Sequence, residues 1–166
     1  MRILIVHPDE EYHSTLKYSF ENLGHQADST GDQVQAMSLF RSQNHEFVFS
    51  GHNPPALDAL ILLKTLKKES QNVKLVISAP QADLNFVCEA IHQRVYDFFL
   101  EKVEFRQLLM IVEEIEESRN RREAARTSEA YHDAGAMGNR EEQHSRLALE
   151  YARLKQAYED LRASVK

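Results

Sequence analysis

The feature that most constrains this fold is the pattern of a buried strand that ends in a glycine and proline loop. Residues 47–50 form an apolar run long enough for a strand covered on both faces. Gly51 and a Pro-Pro pair follow, and they end the strand before a helical pattern begins. In an open parallel sheet such a loop lies at the carboxyl edge, where ligands bind. We expect two more strand ends, at His7 and Ser78, to meet it there.

Strand and helix patterns alternate through the first two thirds of the chain. Strands are predicted at residues 2–6, 25–30, 47–50, 73–77 and 96–100, the second of them polar and typical of a sheet edge. Each is followed by a segment with apolar residues three and four apart. Short connections imply right-handed crossovers. The sequence therefore predicts an α/β fold, a doubly wound five-stranded parallel sheet covered on both faces.

The helical segments carry apolar positions and polar caps. Asp9 and Asp58 are predicted N-caps of the first and third helices, and Gly24 is the predicted stop of the first. The apolar positions expected to face the core are Tyr12, Leu16, Phe20, Leu23, Val34, Met37, Phe40, Leu57, Leu60, Ile61, Leu63 and Leu66.

Composition excludes several classes of function. Of the 166 residues 42% are hydrophobic and 28% charged, and no apolar run approaches the ~20 residues that a membrane span needs. The net charge of −6 argues against nucleic-acid binding. The single cysteine, Cys88, fits a reducing compartment and is expected to be a buried structural thiol. These features predict a cytoplasmic protein without membrane or nucleic-acid partners.

The last third of the chain has a different organisation. After Ile115 the fifth helix becomes polar nearly all round, with interleaved arginine and glutamate, which is typical of a solvated helix. We divide the chain into an α/β domain at residues 1–120, a helical extension with a glycine-containing hinge at 121–139, and an amphipathic heptad helix at 140–166. The hinge is expected to begin at Thr127.

The heptad helix has the clearest periodicity of the sequence. A strict seam of this kind calls for a partner helix, and Glu150 and Lys155 fall at the g and e positions that pair between parallel chains. Because the run supplies barely three heptads, a helix that folds back on its own domain is the alternative to a dimeric coiled coil. The seam consists of Leu147, Tyr151, Leu154, Tyr158, Leu161 and Val165.

The order of elements, the first strand at residues 2–6 and the segment at residues 55–60 resemble the receiver domain of bacterial two-component response regulators, a flavodoxin-like fold. The resemblance covers residues 1–120. It implies an acidic pair after the first strand, a phosphoacceptor aspartate after the third, a hydroxyl after the fourth, and lysine and proline after the fifth.

Most of these positions are changed here. The acidic pair falls on His7 and Pro8, the phosphoacceptor on Gly51, the lysine on Glu101 and the proline on Lys102, whereas the hydroxyl is kept as Ser78. Glycine offers no nucleophile, proline offers magnesium no side-chain ligand, and glutamate repels a phosphoryl group. The resemblance thus implies a degenerate receiver, or pseudo-receiver, that has lost aspartyl phosphorylation and needs no cofactor.

Displaced phosphotransfer and metal binding are weaker alternatives. Asp9, Glu10, Asp58 and Lys102 lie close in sequence to the changed positions, but the reaction requires in-line placement. His7 and His52 follow adjacent strands, and with a neighbouring carboxylate such as Glu101 they form a candidate site for a transition metal. No metal-ligand spacing supports that site, so two surface histidines are the simpler interpretation.

Two main functions follow. The first is a phosphorylation-independent adaptor and homodimerisation module, not an enzyme, that binds protein partners; the receiver resemblance implies an interface near Ile91, Val95, Tyr96 and Phe98, each of which is otherwise a core residue. The second is the regulatory domain of a larger enzyme, such as a diguanylate cyclase, phosphatase or kinase, joined through the heptad helix.

Overall fold

A computed structural model describes residues 1–80, 82–100 and 102–129, with side chains of the last helix described to residue 125. Strands and helices alternate without exception over this part of the chain. The strands are β1 (Arg2–Val6), β2 (Gln26–Thr30), β3 (Phe47–Gly51), β4 (Lys74–Ser78) and β5 (Asp97–Phe99). The helices are α1 (Glu10–Asn22), α2 (Gln33–Gln43), α3 (Ala59–Glu69), α4 (Leu84–His92) and α5 (Phe105–Glu129).

The five strands form one parallel sheet in the order β2-β1-β3-β4-β5. This confirms the predicted doubly wound fold and the edge position of the polar strand β2. The strand order reverses between β1 and β3, and ligand crevices form at that point in such folds. The register pairs Val6 with Ser50 and Gly51 with Ser78, so the ends of β1, β3 and β4 lie side by side.

The hydrophobic core lies in two layers, one on each face of the sheet. One layer packs α1 and α5 against β1 and β3 through Phe20, Phe49 and Leu108. The other packs α2, α3 and α4 through residues such as Leu62 and Val87. Strand β3 is buried along its whole length, as a strand covered on both faces must be.

Aspartates at the carboxyl edge of the sheet cap the first four helices. Asp9 and Asp58 accept hydrogen bonds from backbone N–H groups in the first turns of α1 and α3, as predicted. Asp32 and Asp83 do the same for α2 and α4. Each cap stabilises its helix by about 1 kcal/mol, so these carboxylates have a structural role. Gly24, at φ 84°, follows the end of α1 as predicted.

The packing corrects several predicted core positions. Leu23, Val34 and Ile61 are exposed. Leu23 lies after the last turn of α1, and α2 turns Ala36 inward instead of Val34. In α3 an uninterrupted apolar run at 59–63 left the phase of the helix ambiguous, and Leu62 is buried there.

Two other predicted positions differ in burial. Val95, predicted at a protein interface, is buried at 3% exposure and belongs to the core between α4 and β5. Cys88 is only half-buried, because Phe86 and Val87 are the residues that α4 turns toward the core at this point.

Helix α5 continues past the domain as predicted. Among its residues up to 125, the last buried one is Ile115, and residues 120–125 are all exposed. Arg121 pairs with Glu117 one turn earlier at 3.9 Å, an ion pair typical of a solvated helix. The helix passes through Thr127, so the predicted start of the hinge is wrong. The heptad residues 147–165 lie outside the described residues, and their pairing stays a prediction.

Candidate functional site

The carboxyl edge brings together His7, Gly51 and Ser78, as the sequence predicted. His7 follows β1, Gly51 ends β3, and Ser78 ends β4 opposite Gly51 in the register. Ser78 is buried at 4% exposure, and the neighbouring Ser50 hydroxyl donates a hydrogen bond to the Gly51 carbonyl at 2.9 Å. Glu101, another of the positions predicted for this site, lies outside the described residues.

The imidazole of His7 occupies the space beside Gly51. A Cβ atom built on Gly51 would lie 2.6 Å from His7 Cδ2 and 3.2 Å from Nε2, and 3.4 Å from the Pro8 ring. Real Cβ contacts do not reach 2.6 Å, so no side chain fits at residue 51 while His7 keeps this position. His7 and Gly51 therefore fit together: the histidine ring occupies the space that a side chain at residue 51 would need.

His7 is fixed by its neighbours. Its ring packs edge-on against Tyr12 at 4.6 Å between centroids and lies parallel to Phe49 at 6.5 Å. The backbone N–H of Asp9 donates to Nδ1 at 3.1 Å, which places the proton of the neutral ring on Nε2. Burial lowers the pKa of His7, outweighing the opposite effect of the Asp9 carboxylate. The ring is therefore held neutral.

Tyr12 and Lys102 close the same edge from the side. The Tyr12 hydroxyl donates a hydrogen bond to the carbonyl of Val103, in the loop before α5. Burial, with a smaller contribution from Asp9, raises the pKa of Tyr12 to about 12. The Lys102 ammonium lies 4.7 Å from the centre of the Tyr12 ring, a cation–π contact. The sequence indicated Tyr12 only as a core residue, and no motif predicts the hydrogen bond from its hydroxyl to the Val103 carbonyl.

His52 has its own local partners. The backbone N–H of His52 donates a hydrogen bond to the Ser78 carbonyl at 2.9 Å. Its ring Nδ1 accepts a hydrogen bond from the backbone N–H of Ala59 at 3.3 Å. The ring lies 4.2 Å from that of Phe86, and burial lowers its pKa against the influence of Asp58. Both histidines thus use Nδ1 for a backbone hydrogen bond. Within the described residues no group of three His, Cys, Asp or Glu side chains could hold a metal ion.

The residues predicted for the protein interface do not form one patch. Ile91 and Phe98 are partly buried against the layer of α2, α3 and α4, whereas Tyr96 packs on the opposite layer. The Lys74 ammonium lies 5.2 Å from the centre of the Tyr96 ring, at the amino end of β5. With Val95 in the core, Ile91 and Phe98 are the two partly buried predicted residues that pack on the same side of the sheet.

Comparison with known proteins shows which solved structures have a similar fold. No protein-family model matches the chain, and no curated protein matches it either. Among solved structures it is similar to a response regulator receiver domain protein from Methanospirillum hungatei, with TM-score 0.67 and 17% identity over 73% of this chain and 97% of that one. The signal receiver domain of an HD domain-containing protein from Pseudomonas fluorescens gives 0.65 and 21% over 72% and 96%.

A receiver domain from Clostridium thermocellum is similar over 75% of this chain and 98% of that one, with TM-score 0.63 and 17% identity. The class defined by the sheet order and the helices on both faces is the flavodoxin-like α/β fold. Within that class, the chain has the fold of the response regulator receiver domains. Its described helices include none that is both long and apolar enough to cross a membrane.

Proposed function

We propose that this chain is a pseudo-receiver: a signalling module that acts through protein contacts and does not accept a phosphoryl group. The observation that carries the proposal is the fit of His7 against Gly51, whose added Cβ would meet the ring at 2.6 Å. An acyl phosphate requires a carboxylate nucleophile, and neither residue supplies one. The module performs no catalysis of its own and needs no magnesium.

The other carboxylates at this edge support the proposal. Asp9, the nearest to His7, accepts the N–H of Tyr12 at 3.0 Å, and Asp58 accepts two N–H groups of α3. The hydrogen bond from Tyr12 lowers the pKa of Asp9 first of all, which favours its charged, capping form. A carboxylate committed to a cap is poorly placed for in-line attack on a phosphoryl donor.

Phosphorylation is tested directly on the whole chain. We expect intact-mass spectrometry to find no hydroxylamine-labile phosphoryl adduct after incubation with magnesium and acetyl phosphate or phosphoramidate. A double variant, Asp9→Asn with Asp58→Asn, removes the two aspartates among the displaced candidates and is expected to give the same result as the unchanged chain. An adduct on the unchanged chain that disappears in this variant would show that phosphotransfer has moved to one of these aspartates.

The proposed output of the module is homodimerisation through the heptad helix, with Ile91 and Phe98 as a contact for protein partners. Light scattering after size exclusion tests the dimer. Leu154→Glu changes the d position of the seam and is expected to give a monomer, whereas Gln156→Glu, two residues away at the f position, adds the same charge outside the seam and is expected to leave a dimer. A monomer for the unchanged chain contradicts the coiled coil.

A second candidate function is favoured by the length of α5. This helix runs 25 residues and leaves the domain without interruption, as a connector to another segment does. One similar structure is described as the receiver domain of an HD domain-containing protein. In this alternative the module regulates an enzyme such as a cyclase, phosphatase or kinase. A longer natural chain bearing a catalytic domain, with activity altered by Leu154→Glu, supports it.

A further inference from the structure

Two histidines at the carboxyl edge of the sheet hold the first residues of helices. The backbone N–H of Asp9, the N-cap of α1, donates a hydrogen bond to His7 Nδ1 at 3.1 Å. The backbone N–H of Ala59, the first residue of α3, donates one to His52 Nδ1 at 3.3 Å. His7 directly follows β1 and His52 directly follows β3, so each ring joins the end of a strand to the start of the next helix.

Each of these hydrogen bonds depends on the charge of the ring. A neutral imidazole has one nitrogen with a free lone pair, and in both rings that nitrogen is Nδ1, so the proton lies on Nε2. Protonation adds a hydrogen to Nδ1, and an imidazolium nitrogen accepts no hydrogen bond. The helix dipole also opposes a positive ring beside the amino end of a helix. Protonation of either histidine therefore breaks its hydrogen bond to the helix.

Charged and titratable groups around His7 act in both directions. The Asp9 carboxylate favours the charged ring, whereas Lys102 and His13 oppose it. Tyr12, whose ring packs against that of His7, stays neutral because burial raises its pKa to about 12. Burial is the largest influence on His7 itself and lowers its pKa. The folded chain thus keeps this ring neutral until the solution is more acidic than the ordinary pKa of histidine.

His52 is surrounded by the starts of two helices. Asp58, the N-cap of α3, favours the charged ring, but burial has the larger influence and lowers the pKa of His52. The centre of the ring lies 4.2 Å from that of Phe86, which belongs to the first turn of α4. His52 therefore contacts both α3 and α4, and the loss of its bond to Ala59 loosens the start of α3.

The contacts that remain after protonation keep the change local. The side chains of Asp9 and Asp58 still cap α1 and α3. Two backbone hydrogen bonds between Asn53 and Leu57, at 2.9 and 3.0 Å, close the loop before α3, and Leu57 is fully buried. We therefore expect the first turns of the two helices to loosen while the sheet and both core layers stay folded.

We propose that the carboxyl edge is a proton-sensitive latch, in which neutral His7 and His52 hold the starts of α1 and α3 and protonation releases them. The His7 ring lies so close to Gly51 that an added Cβ would be 2.6 Å from its Cδ2. Because a charged ring is more stable in water than in this packed space, protonation also favours its departure from Gly51. The proton is then an input to the module. The inference does not depend on the proposed loss of phosphorylation or on the proposed dimer, since both hydrogen bonds form within one domain.

NMR spectroscopy of the full chain, labelled with nitrogen-15, tests the latch between pH 7.5 and 5. At pH 7.5 we expect the ring nitrogen shifts of His7 and His52 to show the proton on Nε2. Both rings should titrate with midpoints below 6.5, and the amide signals of Asp9 and Ala59 should change with the same midpoints. The equilibrium constant for opening at Ala59, from amide exchange corrected for its intrinsic dependence on pH, should rise by up to about eightfold between pH 7 and 5.5.

Two matched variants separate the hydrogen bond from the charge. His52→Asn keeps an acceptor, because its side-chain oxygen takes the place of Nδ1, but it does not titrate. We expect opening at Ala59 to become independent of pH in this variant, whereas the Asp9 amide still responds to the titration of His7. His7→Asn should give the reciprocal result, with a constant signal for the Asp9 amide and a titrating one for Ala59.

Three results would overturn the proposal. The first is a proton on Nδ1 of either ring at pH 7.5, since such a nitrogen cannot accept the backbone hydrogen bond. The second is an Ala59 amide that responds to pH equally in the unchanged chain and in His52→Asn. The third is a loss of signals from the whole sheet with the same midpoint as the rings, which would show general unfolding and not a local release.

Discussion

The two edges of the sheet are built in opposite ways. At the carboxyl edge the chain fills its own site: the His7 ring lies against Gly51, Tyr12 bonds to Val103, and the nearby aspartates cap helices. At the amino edge the described residues leave a cleft of about 490 Å³, with Arg41, Arg119 and Arg122 in its lining. Open α/β sheets usually bind ligands at the carboxyl edge. Here side chains of the chain itself pack at that edge, and the cleft lies at the other one.

The comparison teaches that a position without a side chain need not leave an empty space beside it. Replacing an aspartate by glycine removes a side chain of several atoms, and an unfilled void of that size destabilises a core by kilocalories. His7 occupies the space with an aromatic ring that packs on Tyr12 and Phe49. His7 and Gly51 are thus part of the packing at this edge, and we expect the introduction of a side chain at residue 51 alone to lower stability.

The largest effect is expected from Gly51→Asp. The new Cβ would meet the His7 ring at 2.6 Å, and a carboxylate would be buried beside it. We expect the free energy of unfolding, measured by urea denaturation, to fall by about 3 kcal/mol or more. Asn53→Asp introduces the same group at an exposed position of the next loop and is expected to change stability by less than about 0.5 kcal/mol.

A double-mutant cycle assigns this loss to His7. In the His7→Ala background the ring is gone, and Gly51→Asp should cost at least about 1 kcal/mol less than in the unchanged chain. If the cost is the same in both backgrounds, the ring does not occupy the acceptor's place.

The next effect is a dependence of stability on pH that involves both edges. Burial lowers the pKa of His7 and His52 at the carboxyl edge and of His45 at the amino edge. The unfolded chain therefore takes up protons before the folded one does. Stability is full above the unfolded pKa of 6.5 and falls as the pH drops below it. Each histidine contributes a slope of at most about 1.4 kcal/mol per pH unit.

Single substitutions show how much of this pH dependence comes from the histidines at each edge of the sheet. His7→Gln and His45→Gln should each flatten the plot of unfolding free energy against pH between pH 7 and 5, whatever their effect at pH 7. His92→Gln, at an exposed position of α4, is the control and should leave the slope unchanged. An unchanged slope in His45→Gln would mean that its ring is not held neutral at the amino edge.

A smaller effect is expected from Tyr12→Phe, which keeps the ring under Lys102 but removes the hydroxyl that bonds to Val103. Because the Val103 carbonyl loses its donor, we expect a loss of about 1 kcal/mol in urea denaturation. Tyr18→Phe removes a hydroxyl from the exposed face of the same helix and should cost nothing measurable. Equal losses in the two variants would show that the bond to Val103 does not help to close the carboxyl edge.

The layout of the fold was predictable because it depends on local patterns. Short apolar runs separated by helical periodicity indicated the five strands, and the polar composition of residues 25–30 indicated an edge. Asp9 and Asp58 were recognisable as caps from their position before an apolar run. The inward residues of α3 were not predictable, since five consecutive apolar residues at 59–63 fit several phases of a helix.

The linkage between His7 and Gly51 could not be predicted for a different reason. Both were recognisable as departures from the receiver pattern, but they are 44 residues apart, and their contact depends on the register of β1 against β3. The cleft at the amino edge could not be predicted from the sequence. Its lining comes from the ends of α2 and α3, the start of β4, the turns between these elements and one stretch of α5, and no single segment of it carries a motif.

The smallest effect concerns the contact that holds α5 at the amino edge. Arg119 and Glu46 are both about two-fifths exposed and bond at 2.7 Å. An exposed pair of this kind contributes about 0.5 kcal/mol at low salt, and less when salt screens it. We expect Arg119→Gln to lower the free energy of unfolding by that amount in 20 mM salt and by nearly nothing in 0.5 M, as measured by urea denaturation.

Arg121→Gln is the matched control, because Arg121 pairs with Glu117 of its own helix and not with the domain. Stability alone does not distinguish the two pairs, since both are weak, but amide hydrogen exchange does. Loss of Arg119 releases the helix from the turn before β3, so exchange should speed up at residues 116–125 in Arg119→Gln and not in Arg121→Gln. Equal exchange in both variants would mean that the other contacts of α5, such as that between Met1 and Glu116, keep the helix in place without Arg119.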